Sequence, residues 1–182
     1  MPVGSDVLLI QRPTAATLLA DVKGGDQALR LRAVEQAPLV GTPVIVPLGK
    51  VMAGGDKAAA RASVEALRRV VHHCARPRAR QERATAAKEL LKLTVASLPR
   101  PVRVEALYLL GFVASASHAA ALGALLNDTA VREEALLALE RVPGAPVDRV
   151  LRTRLTRAAP ELRPAIRQTL EARRRRTGPG IK

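Results

Sequence analysis

Tryptophan is absent from this 182-residue chain, and tyrosine and phenylalanine occur once each. Hydrophobic residues still make up 48% of it, so the core has to be built from Ala, Leu and Val. Ala lets helix backbones approach closely, and Ala and Leu rank high in helix propensity; the composition predicts packed helices and disfavours an all-β fold. The apolar content is ordinary and periodic, which argues against disorder. The shortage of aromatics also removes base stacking as a major source of nucleic-acid affinity.

Cysteine is nearly as scarce. Cys74 stands alone, so no internal disulfide can form and there is no oxidised, secreted framework. The only apolar run near the N-terminus, Val7 to Ile10, is four residues long and follows no basic segment, unlike a secretory signal. A cytoplasmic protein is expected. Acidic and basic residues are missing from Ala106 to Leu126, a length that could cross a bilayer. Ser115, Ser117 and His118 interrupt its middle, however, and much of the rest is Ala or Gly. The stretch reads as two buried helices joined by a tight turn, with no membrane span.

Helix punctuation recurs along the chain. Gly24-Gly25 before Asp26, and Gly54-Gly55 before Asp56, each place a stop ahead of a carboxylate able to cap the next helix. Asn127-Asp128 repeats the device, and Pro43, Pro101 and Pro146 fall where first helical turns should begin. The predicted helices are about 14–23, 27–37, 43–53, 57–74, 80–98, 102–114, 118–126, 129–142, 146–158 and 161–175. Apolar stripes support them: Ala60, Val64, Leu67 and Val71; Ala87, Leu90, Leu91, Val95 and Leu98; Val131, Ala135, Ala138, Leu139 and Val142. Tyr108 and Phe112, four residues apart in the most apolar segment, are expected in the core.

The helices resemble one another. Asp26-Gln27-Ala28-Leu29-Arg30-Leu31-Arg32-Ala33 matches Asp128-Thr129-Ala130-Val131-Arg132-Glu133-Glu134-Ala135 in its Asp, apolar-Arg and Ala positions. Arg61 and Arg103 fit the frame more loosely, giving spacings of 31, 42 and 29 residues, in or near the range of helical-hairpin repeats. Val44, Val46 and Leu48 answer Val147, Val150 and Leu151 in the helices that follow. On these residues the chain resembles the HEAT-repeat family over roughly 26–160, most clearly at 26–52 and 128–155. The resemblance implies an all-α, right-handed α-solenoid of stacked antiparallel hairpins, in which Asp and Arg support packing between neighbouring repeats. The expected organisation is an N-terminal segment and capping helix at 1–25, the array at 26–160, a capping helix at 161–175 and a basic flexible tail at 176–182. Residues 1–12 are left open between a short strand, packing on the first helix and a loose segment.

Little points to catalysis. The consecutive helical residues His72, His73 and Cys74 project about 100° apart and cannot converge on a metal alone, so a polar helix end is expected. His118 reads as a turn cap. Glu133 and Glu134 diverge, and neither a phosphate-binding G-x-x-x-x-G-K-[ST] loop nor a G-x-S-x-G elbow is present. Some HEAT-like proteins act on damaged bases as glycosylases or attach pigments; without Trp or a carboxylate in an aromatic pocket, the glycosylase branch is disfavoured. No catalytic residue, metal or cofactor is assigned, and an enzyme is not expected.

Charge is the strongest functional signal. The formal net charge is +14, and 24 of the 30 basic residues are arginine, which binds carboxylate and phosphate bidentately. Half of the excess lies in residues 129–182. Arg149, Arg152 and Arg157 share a helix whose other face is Val147, Leu151, Leu155 and Ala158; with Arg173, Arg174, Arg175 and Arg176 they are the candidate partner-binding residues. Arg68, Arg69, Arg76, Arg78, Arg80 and Arg83 form an alternative cluster. The expected function is a scaffold binding an acidic protein surface. The alternative is a nucleic-acid binder of low sequence specificity, acting on the phosphate backbone.

Overall fold

The structure, a computed structural model, describes residues 12–177; the expectations for 1–11 and for the tail at 178–182 lie outside the described residues. Among those described there are ten α-helices and no strand: α1 (Ala15–Lys23), α2 (Gln27–Val40), α3 (Ile45–Met52), α4 (Lys57–Cys74), α5 (Arg80–Leu91), α6 (Arg100–Val113), α7 (Ala119–Ala124), α8 (Arg132–Arg141), α9 (Ala145–Arg157) and α10 (Arg163–Thr177). None is long and apolar enough to cross a membrane. Short 3₁₀ turns at Thr42–Val44, Ala116–His118 and Leu125–Asn127 lead into or out of α3 and α7.

The punctuation acts as its chemistry dictates. Asp26 accepts from the amides of Ala28 (2.7 Å) and Leu29 (3.1 Å), and Asp56 from those of Ala58 (2.8 Å) and Ala59 (3.1 Å), meeting donors that the first helical turn leaves open. His118 caps its turn by accepting from the Ser115 amide at Nδ1, 3.1 Å away. Gly144, at φ +106°, takes the chain into α9 through a conformation that side chains resist.

Alternate helices pack on one another: α2 on α4, α4 on α6, α6 on α8 and α8 on α10 in one row; in the other α1 packs on α3, α3 on α5 and α7 on α9, while α5 and α7 do not pack to a comparable extent. Apart from a contact of α4 with α5, consecutive helices join the rows as α1/α2, α3/α4, α5/α6, α7/α8 and α9/α10. These pairs are offset by one helix from the repeats legible in the sequence. The second helix of each repeat is therefore covered by the first helix of the next, and Val44, Ile45 and Leu48 of one repeat become buried.

Arginines tie the first row together. Arg30 of α2 reaches Asp56 at the head of α4 (4.0 Å), Arg103 of α6 binds Asp128 ahead of α8, and Arg132 of α8 reaches Glu161 ahead of α10 (3.9 Å). Arg103 is 4% exposed and also donates to the Thr94 carbonyl at 3.0 Å. Arg61 stands five residues after its Asp rather than four, and its place in the frame is taken by Ala60; Arg61 is exposed.

Three expectations need correction. The helix predicted over 80–98 ends at Leu91, because the Thr94 hydroxyl donates to the Leu91 carbonyl (2.8 Å) and Arg103 occupies the Thr94 carbonyl. Val95 is consequently exposed and Leu93 buried. The stripe on α4 runs through Ala59, Ser63, Ala66 and Val70 as well as Leu67 and Val71, while Ala60 and Val64 are only half-buried. Tyr108 and Phe112 are outside the core, 43% and 37% exposed. Helix α6 is covered on the sides of Val102, Ala106, Leu109 and Val113 and of Leu107 and Leu110, and the aromatics lie on the stripe left over with Glu105.

Candidate partner-binding surface

Helix α9 buries Val147 and Leu151 and half-buries Leu155, as its spacing dictates, but its arginines divide between two faces. Arg149, Thr153 and Arg157, four residues apart, line a groove of about 300 Å³ with Ala120 of α7. Arg154 and Arg157 continue into a neighbouring groove of about 290 Å³ beside Leu126, Asn127 and Arg132. Because the two grooves share Arg154 and Arg157, they make one basic trough. Its single carboxylate, Glu161, faces Arg132; the polar contact to Arg154 comes from the Asn127 side-chain oxygen at 3.4 Å. Arg149, Arg154 and Arg157 thus face solvent or half-face it with no carboxylate partner among the described residues.

Arg152 points elsewhere, into a depression with Asp148, Leu170, Glu171 and Arg174. The run of four arginines on α10 is also divided. Arg173, 3% exposed, is a structural clamp: it donates to Asp148 Oδ1 (2.6 Å) and to the carbonyls of Leu139 (2.8 Å), Glu140 (3.2 Å), Val142 and Gly144 (3.1 Å). It satisfies the open carbonyls at the end of α8 and carries a cation to the negative end of that helix. Arg176, which is helical rather than part of a tail, donates to the Glu140 carbonyl, and Arg175 lies 3.8 Å from Glu171. Arg174 is exposed.

Half of the alternative cluster is committed within the chain. Arg68 holds Glu105 bidentately at 2.7 and 2.9 Å, and Arg76 holds Glu82 at 2.7 and 2.8 Å. The Arg76 bond holds the Glu82 carboxyl below its usual range. Arg83 donates to the carbonyls of Ala75 (2.6 Å) and Arg76 (3.2 Å) at the end of α4. Arg69, Arg78 and Arg80 are exposed, with Arg78 in the left-handed region at φ 69°. Cys74 is buried, its thiol pushed up by desolvation, and His72 and His73 are exposed. No three His, Cys, Asp or Glu residues converge as a metal set among the described residues.

The trough gains Arg154 and Arg132 over the sequence selection. Arg154 had a signal, since it lies four residues after Val150 on the flank of the α9 stripe. Arg132 comes from a different helix and only packing brings it there. A comparison with models of known protein families finds no match, and no curated protein matches the chain.

Proposed function

We propose that the chain is a non-enzymatic, HEAT-like α-solenoid scaffold that binds an acidic protein surface through its basic C-terminal half. The observation that carries this reading is the α7/α9 trough, where Arg149, Arg154 and Arg157 stand together without carboxylates of their own. Guanidinium groups in such a position suit bidentate capture of Asp and Glu, and rim charges of one sign accelerate encounter with a partner of the other. The packing of alternate helices and the Arg30–Asp56, Arg103–Asp128 and Arg132–Glu161 links support the HEAT-like frame.

The test compares the full chain with its R149E/R154E/R157E variant for protein retained at physiological salt after nuclease treatment. The expected result is a partner held by the parent and lost by the variant. A partner held equally by both would contradict the reading. If nuclease removes the bound material, and affinity falls steeply with salt with a gentler slope in the variant, the trough serves nucleic-acid phosphates instead.

A further inference from the structure

Both aromatic side chains of the chain lie on the surface, and they lie together. Tyr108 and Phe112 meet edge-to-face with ring centroids 5.2 Å apart and planes at 76°. His72 of α4 adds a second edge contact to Phe112 at 5.0 Å and 63°. From α8, Arg141 lays its guanidinium 5.3 Å from the centroid of each ring. Gly111 makes room for this crossing, since a Cβ there would sit 2.8 Å from Arg141 Cδ. Leu137, 57% exposed, is four residues before Arg141 on the same stripe of α8. Side chains of three successive helices of one row therefore meet in a single aromatic cluster, with Leu137 exposed one turn along α8 from Arg141, distinct from the trough on α7 and α9.

The charges around the patch select its occupant. Its nearer carboxylates are already used: Glu105 and Glu65 face Arg68, and Glu134 faces Arg100 at 2.6 Å. Glu133, exposed, lies one turn from Leu137 and two turns of α8, about 12 Å, from Arg141, and Glu140, half-buried, precedes Arg141 by one residue and projects about 100° away from it. Arg141 and Arg69, one turn from His72, remain as exposed cations without an ion pair. A net charge of +14 disfavours pairing of this cationic patch with a second copy of the chain. Tyr108 and Phe112 turn edge to face toward each other and Arg141 lies over both, so part of the ring surface on which a base could stack is already covered. Aromatic and arginine side chains at the centre of an apolar patch are, in contrast, the residues that dominate protein interfaces.

We infer that the patch of His72, Tyr108, Phe112, Leu137 and Arg141 docks an acidic protein segment that inserts an aliphatic side chain beside the rings and sets a carboxylate against Arg141. This inference stands apart from the trough, whose loss would leave the patch intact.

Tyr108 is the only tyrosine and there is no tryptophan, so intrinsic emission reports on this patch alone. The probes are two synthetic twelve-residue peptides with equal numbers of Glu, one carrying two Leu four residues apart and the other Ala at those positions, and a twelve-residue oligouridylate. The leucine peptide should change Tyr108 emission saturably in the full chain and bind at least tenfold more weakly to R141E and to L137S. The R149E/R154E/R157E variant should keep the saturable change in Tyr108 emission, and lose only peptide taken up by the trough, which Tyr108 does not report. All these positions are exposed or half-exposed, and retained helical circular dichroism identifies folded variants. Equal binding of the alanine peptide, displacement of the leucine peptide by the oligouridylate, no saturable change up to millimolar peptide, or unchanged affinity in both R141E and L137S would overturn the inference.

Discussion

At the scale of single residues, arginine performs three separate tasks, told apart by burial and by the oxygens each side chain meets. Arg173 and Arg103 are buried and meet fixed oxygens, Arg68 and Arg76 are forked onto carboxylates, and Arg149, Arg154 and Arg157 have no carboxylate partner among the described residues. Asp128 shows the consequence for pH. The Arg103 bond first, and then the Ala130 amide, hold its carboxyl below the ordinary 3.8. A carboxyl depressed in the folded state stabilises above its unfolded value and loses that contribution as pH falls through the folded one. Thermal stability should therefore fall progressively below about pH 4. D128N should be less stable than the parent at neutral pH and lose less on acidification. Identical pH profiles for the two proteins would contradict this role.

At the scale of elements, what could be read from the sequence was whatever acts locally. Asp26 and Asp56 cap because the oxygen and the amides it meets lie within three residues, and Pro101 and Pro146 open helices because ring geometry presets the first turn. The end of α5 was not legible, since Arg103, nine residues beyond Thr94, helps set it. The exposure of Tyr108 and Phe112 depends on how many sides of α6 have neighbours, which hydrophobicity alone does not encode. Arg173 did carry a signal within its featureless run of arginines. It falls at i+7 from Ile166 and i+4 from Thr169, on the stripe that α10 buries. The trough depends on one close approach, in which a Cβ at Gly123 of α7 would lie 2.4 Å from Val150 Cγ1 of α9. Val150 is branched and stiff, so G123A should cost about 1–3 kcal/mol in chemical denaturation by forcing the two helices apart. A variant as stable as the parent would show that α9 yields without cost.

At the scale of the whole molecule, the two rows of alternate helices make packing a matter of neighbours: α10 touches α8 and α9, while α1 to α4 lie several helices away. In the proposed HEAT-like array, damage at one end should stay there, because stability is close to a sum of unit and nearest-interface contributions. Arg173 is the place to strike, since its loss strips donors from four carbonyls and a partner from Asp148 at the junction of α8, α9 and α10. Breaking such a buried set costs about 3 kcal/mol or more. Amide hydrogen exchange of R173A against the parent is the most direct measurement of the account. Faster exchange confined to α8, α9 and α10, with α1 to α4 unchanged, is the expected result; a uniform increase across all ten helices would show one indivisible core and contradict it.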